Sequence, residues 1–147
     1  MIVQRFVEED LKQIAKLFDE YRSFYNQSSD IQAATQFLEA RLLNDESIIF
    51  VAKRENKCVG FVQLYPTFSS VAMKRAYILN DLYVTENYRR DGVARMLMEQ
   101  TFQFAKKHDA RFITLETGIL NTRAQALYEE MGMEIENTVK HYTYYFE

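Results

Sequence analysis

The chain has 147 residues and a formal net charge of -3, with 48% apolar and 27% charged side chains. That length suits one domain able to bury roughly 68–70% of its unfolded surface, and the mixture is neither disordered nor fibrous. The acidic balance removes the general attraction on which nonspecific nucleic-acid binding rests, and no apolar run approaches the ~18 residues of a membrane span, so neither nucleic acid nor membrane is expected as a partner.

Residues 2 to 7, "IVQRFV", read as a strand, and "EED" then offers acidic residues suited to a helix start. Leu11, Ile14, Ala15, Phe18, Tyr21 and Tyr25 recur at helical spacing. A second helix is expected from Asp30, an N-cap after the polar break "NQSSD", through Phe37, Leu38 and Leu42. "SIIFVAKRENKCVGFVQLYP" reads as two strands around a turn near residues 54 to 57, ending at Pro66. After the loop "TFSSVAMK", a longer strand "RAYILNDLYV" leads through "YRRDGVARML" into a helix bearing Val93, Met96, Leu97, Phe102 and Phe104. "RFITLET" is the next strand, parallel to its predecessor through a right-handed crossover. A helix from Asn121 carries Ala124, Leu127, Tyr128 and Met131, with Gly132 as its left-handed cap, and "MEIENTVKHYTYYFE" reads as two short strands. No repeat or linker interrupts this order, so a single domain over 1–147 is expected.

The one cysteine, Cys58, has no internal disulfide partner, and the first residues lack the apolar core of a secretion signal. A reduced, cytoplasmic compartment is the simplest expectation, with Cys58 as a small packing residue. His108 sits where it can complement a helix dipole and His141 lies in a distant strand, so no conventional zinc site is expected.

The segment Arg89-Arg90-Asp91-Gly92-Val93-Ala94 admits two readings. In one, Asp91 caps a helix and the arginines are solvated surface charges. In the other, the amides and dipole at the helix start grip an anion, Gly92 and Ala94 allow its close approach, and the arginines add charge, as a pyrophosphate would require. The dinucleotide pattern G-x-G-x-x-G and the phosphate loop G-x-x-x-x-G-K-[ST] are both absent.

Arg89, Gly92 and Ala94 meet the pattern [QR]-x-x-G-x-[GA], and "NTRAQALYEEMGM" meets N-x-x-A-x-x-[LF]-Y-x-x-x-G through Asn121, Ala124, Leu127, Tyr128 and Gly132. In these two ordered motifs, and in element order along essentially the whole chain, the sequence resembles the GNAT superfamily of acyl-CoA-dependent N-acetyltransferases. The resemblance implies an α/β (α+β) fold with a mixed, mostly antiparallel central sheet of about six to seven strands, one parallel βαβ unit and about four flanking helices. It also implies acetyl-CoA as co-substrate; no metal is expected. The backbone of Leu82, Tyr83 and Val84 would bond the pantetheine arm, and the amides of Arg90, Asp91, Gly92, Val93, Ala94 and Arg95, beside Arg89, would cradle the pyrophosphate. Asn121 would bind the arm, with Ala124 and Tyr128 beside the cofactor.

Tyr128 is either a core aromatic or the general acid that protonates a departing thiolate, the role of the matching tyrosine in many family members. An acceptor amine of pKa near 10.4 must lose a proton before attack; Glu116, Asp81 beside Asn80, or a water chain could receive it. The resembling spermidine/spermine acetyltransferases carry a Glu-Asp pair at this strand position, where this chain has Asn80 and Asp81. Tyr25, Asp30, Tyr65, Phe68 and Asn80 are candidate acceptor-binding residues on "FYNQSSD", "YPTFSS" and the neighbouring strand, unless those loops merely pack together. The expected reaction is direct transfer of acetyl to a primary amine of a small molecule, such as a polyamine or amino acid. The alternatives are a protein or peptide acceptor, or an acyl-CoA sensor without turnover. The aromatic segment "HYTYYF" suits pairing across a homodimer.

Overall fold

The computed structural model describes residues 1–147, which divide into two compact units, Met1–Glu116 and Thr117–Glu147. The first unit holds β1 (Ile2–Arg5), α1 (Leu11–Phe24), α2 (Ile31–Leu43), β2 (Ile48–Arg54), β3 (Lys57–Ser69), β4 (Lys74–Val84), α3 (Val93–Lys107) and β5 (Ile113–Thr114). The second holds α4 (Thr122–Glu130). The sheet runs β1-β2-β3-β4-β5, antiparallel as far as β4 and parallel between β4 and β5.

The two-residue period of β2 explains how helices come to cover both faces. Ile49 and Val51 join Ile14, Phe18 and Leu38 in the core under α1 and α2. Phe50, between them, turns the other way and meets Phe104 of α3 edge-on, with ring centroids 5.5 Å apart. Cys58 belongs to the α1 side of the core, and burial pushes its thiol up to about 11, as suits a packing residue.

Local signals account for most element ends. Glu55 and Asn56 both take positive φ (52° and 66°), the type I′ geometry that closes the β2–β3 hairpin where the sequence places its turn. Asp30 caps α2 as expected, its carboxylate accepting from the Ala33 amide at 3.0 Å. Gly132, at φ 92°, follows the last turn of α4 in the left-handed conformation, also as expected.

Three expectations are corrected, and one of two open readings is decided. The sheet has five strands rather than six to seven, because residues 133–147 form no ladder; Tyr142, Tyr144, Tyr145 and Phe146 are 81% to 91% exposed, and His141 lies in no strand. The aromatic alternation there encodes a strand-like pattern, but a strand exists only where another supplies backbone partners. Secondly, β3 does not stop at Pro66 but runs to Ser69. Since β2 ends opposite Leu64, β3 is paired on one side alone at Pro66, and the missing N–H interrupts no central ladder. Thirdly, β5 is two residues long, pairing only with Tyr77 and Ile78. Finally, Asp91 does not cap α3; Gly92 does, at φ 77°, with no side-chain hydrogen bond to the helix start.

The regular pairing of β4 is broken at one place. Gln63 pairs with Asp81 and Leu64 with Leu79, so Asn80 is an extra residue on β4, a bulge.

Candidate active site

A cavity of about 700 Å³ opens between the ends of α1 and α2 and the bulged part of the sheet, a size suited to a small molecule. Phe18, Tyr21, Tyr25, Phe37 and Tyr65 give it aromatic walls, and Asp30, Asn80 and Asp81 bring polar groups. Of the sequence candidates for the acceptor, Tyr25, Asp30, Tyr65 and Asn80 therefore meet in one place, together with Asp81. Phe68 does not join them; β3 carries it past Pro66 towards the hairpin tip, where it is 71% exposed.

Asp81 is only 3% exposed. Its carboxylate accepts from Gln63 Nε2 at 2.5 Å and from Asn80 Nδ2 at 3.2 Å. Burial raises its pKa above the ordinary carboxylate value, while hydrogen bonds from Gln63, Tyr21 and Asn80 pull it back. The neighbouring phenols respond in the same field. Burial first, and then the Asp81 charge, push Tyr65 up to about 12 and raise Tyr21 as well, so both hydroxyls stay protonated. Tyr21 donates to the Asn80 carbonyl at 3.2 Å, and so fastens α1 to the bulge.

The cavity rim is held by Asp19, whose carboxylate accepts from the Ser29 hydroxyl at 2.6 Å and the Asp30 amide at 2.7 Å. Those bonds hold its pKa below the usual value. Asp30 is already engaged at one oxygen as the α2 cap, which leaves Asp81 as the carboxylate buried at the sheet.

Before it reaches Asp81, β4 changes character. The ladder to β5 stops at Ile78, so Leu79 to Val84 have no strand on that side. After Val84 the chain turns through a short 3₁₀ segment, Glu86–Tyr88, into Arg89. Arg89 folds back: its Nε donates to the Val84 carbonyl at 2.8 Å, and its guanidinium lies 5.5 Å from the Tyr83 ring centre. Arg90 (φ 70°) and Gly92 (φ 77°) are both left-handed, a reversal that glycine accepts without the penalty of a Cβ. No atom beyond its chain neighbours lies within 4 Å of a Cβ built on Gly92, so conformation and not crowding calls for glycine here. The turn thus presents the start of α3, whose N-cap Gly92 makes no side-chain bond to its amides.

Glu116 is exposed, two residues past β5, and is not among the residues lining the cavity. In the second unit Asn121 caps α4, its Oδ1 accepting from the Ala124 amide at 3.3 Å, and Tyr128 is half-buried on the same helix. Sequence reasoning does not find Gln63, Ser47 and Asp19, which hold cavity-lining residues from behind. Gln63 carries a usable signal, a lone amide inside the apolar run "CVGFVQLY".

Residues 11–133 match the acetyltransferase (GNAT) family. The chain belongs to the GNAT acetyltransferase family. Its relatives agree: it is 44% identical over 142 residues to the uncharacterized N-acetyltransferase YhfO of Bacillus subtilis, covering 97% of this chain and 95% of that one. The crystal structure of a probable acetyltransferase superposes with a TM-score of 0.95 at 38% identity, covering 100% of this chain and 99% of the other. The fold is also shared with an aminoglycoside acetyltransferase from an uncultured soil metagenomic sample (TM-score 0.84, 23% identity, 99% and 96% coverage). This GNAT protein is thus an N-acetyltransferase, and GNAT enzymes in general take acetyl-CoA as co-substrate. Two features fit that donor: a β4 edge with no strand beside it, offering backbone groups to an amide-bearing arm, and a helix start offering amides to a diphosphate. No helix is long and apolar enough to cross a membrane.

Proposed function

We propose that the protein transfers acetyl from acetyl-CoA directly to a primary amine of a small cationic molecule, with both substrates bound at once. The observation that carries this reading is the continuity of β4. Asp81 lies in the aromatic cavity, and the unpaired edge formed by Leu82, Tyr83 and Val84 follows it on the same strand. An amine in the cavity and an acyl group along that edge would meet within one or two residues, the positioning that makes an intermolecular reaction effectively intramolecular.

The donor would lie on Leu82 to Val84, with its diphosphate at the amides from Arg90 to Arg95. Arg89 then acts indirectly, by bracing the end of β4 against the turn. The second motif supports Asn121 and Ala124 beside the pantetheine arm. When bound, acetyl-CoA supplies a thioester whose acyl carbon takes the amine lone pair as its carbon–sulfur bond breaks.

The protein handles the protons. Asp81 attracts the ammonium into the cavity and accepts the proton that the nitrogen must shed, directly or through water; its burial, by raising its pKa, makes it a better base than a solvated aspartate. The aromatic walls favour a cation by their ring faces. The hydroxyl of Tyr128 would hold the proton for the departing sulfur, a role supported by its place in the second motif. Glu116, exposed and away from the cavity lining, is the weaker candidate for the base.

Free-thiol release from acetyl-CoA, measured over a panel of polyamines, amino acids, arylalkylamines and lysine peptides, tests this reading. Turnover greatest with a small cationic amine is expected. Turnover confined to the peptides would move the acceptor to protein, and silence across the panel despite tight acetyl-CoA binding would favour a sensor.

A further inference from the structure

Three buried polar side chains, one from each of three neighbouring segments of sheet, form a line that ends at the cavity. Ser47, directly before β2, donates from Oγ to Gln63 Oε1 at 2.6 Å; Gln63 Nε2 donates to Asp81 Oδ2 at 2.5 Å. Ser47 is 6% exposed, Gln63 0% and Asp81 3%, so water does not substitute for these partners. The line crosses β3 at the register position where the bulge begins, with Gln63 directly opposite Asp81.

Burying an amide between leucine, valine and phenylalanine neighbours costs free energy unless both its ends are bonded. An apolar residue at 63 would pack this strand more simply, so the amide is explained by what it does for Asp81. It presents a donor, which favours the carboxylate over the acid, and it holds one oxygen, leaving Oδ1 for Asn80 and the cavity. Ser47 in turn occupies the far end of the amide and fixes its rotamer.

We propose that Gln63, anchored by Ser47, is a positioning residue that keeps Asp81 ionised and oriented towards the acceptor amine. This role rests on the reading of the aromatic cavity as the acceptor site. Tyr21 from α1, Tyr25 just after it, Tyr65 from β3, Arg41 from α2 and the cavity-lining Arg22 and Asp30 also surround Asp81 or its phenol neighbours. None of these charged groups replaces the direct donation from Gln63. Burial raises the Tyr21 and Tyr65 hydroxyls, so these two do not themselves produce an acid limb.

The test is the pH profile of kcat/KM for the best amine in wild type, Gln63→Leu, Gln63→Glu, Ser47→Ala, Ser47→Thr and Asp81→Asn, with circular dichroism and acetyl-CoA affinity as controls of folding. Gln63→Leu removes the donor and should move the acid limb upward by about one pH unit or more, with the loss of kcat/KM greatest on the acid side of the profile. Gln63→Glu has the same shape but sets two carboxylates to share one proton, and should move the limb at least as far. Ser47→Ala should lose a few-fold, restored by Ser47→Thr. If Asp81→Asn loses activity while both folded Gln63 variants keep the wild-type acid limb, the positioning role is overturned and the acceptor site stands. An Asp81→Asn enzyme with wild-type kinetics would overturn both. Should Gln63→Leu fail to fold, the isosteric Gln63→Glu decides alone.

Discussion

On the proposed reading, the two stretches of β4 solve recognition differently. At Asp81 the work is done by side chains gathered from α1, α2, β3 and β4, and the strand is interrupted by a bulge to bring them there. From Leu82 through the Gly92 turn the resources are backbone: an edge with no strand beside it and a helix start whose N-cap is glycine. A backbone site serves one invariant ligand and needs few particular residues, whereas a side-chain cavity can be altered one residue at a time to suit an acceptor. The donor half should therefore tolerate many side-chain changes and the acceptor half very few.

The largest effect should follow removal of the cavity carboxylate. Asp81→Asn is expected to cut kcat/KM for the amine by about a hundredfold or more, the usual scale for a lost general base, with acetyl-CoA affinity unchanged in calorimetry. In wild type the same quantity should fall as pH drops through the raised Asp81 pKa, because only the ionised form accepts a proton. A comparable loss of affinity for acetyl-CoA in Asp81→Asn would erase the division between the halves.

Tyr128→Phe should retain cofactor affinity and lose about tenfold to a hundredfold in kcat under single-turnover conditions; equal activity removes the acid role. Reversing charge with Arg90→Glu should weaken acetyl-CoA binding by about tenfold at low salt and less at high salt, since exposed charges are screened, while the amine KM stays put. Arg89→Glu should act differently, loosening the end of β4 by loss of its bond to Val84 and so lowering stability as well as affinity.

Asp19→Ala tests the rim. Loss of bonds to Ser29 and Asp30 should cost about 2 kcal/mol, visible as a lower melting temperature, with a raised amine KM. Asp19 has a lowered folded pKa, so its stabilisation is present above its unfolded value and is lost as pH falls through the folded one; the variant's stability should be flatter over that acid range. Phe68→Ala, outside the cavity, should change the amine kinetics by less than about twofold, the smallest effect of the series.

The turn proposed to hold the donor is legible in sequence because backbone conformation restricts residue type: a glycine at φ 77° and small residues at a helix start leave a short pattern. The cavity proposed for the acceptor is legible only in part. Tyr25, Asp30, Tyr65, Asn80 and Asp81 can be read from loops and strand ends, but Gln63 and Ser47 enter through pairing across three strands, which one-dimensional spacing does not express. The Asn80 bulge is invisible for the same reason. Two elements mislead for opposite causes: Pro66 looks like a strand end although β3 has no second neighbour there, and "HYTYYF" looks like a strand although nothing pairs with it.

Initial-velocity kinetics test the central claim most directly, with acetyl-CoA varied at several fixed concentrations of the best amine. Intersecting double-reciprocal lines, with Asp81→Asn disturbing the amine parameters and leaving the acetyl-CoA KM near wild type, are the result expected of two sites meeting on β4. Parallel lines, the mark of a covalent acyl-enzyme, would contradict it.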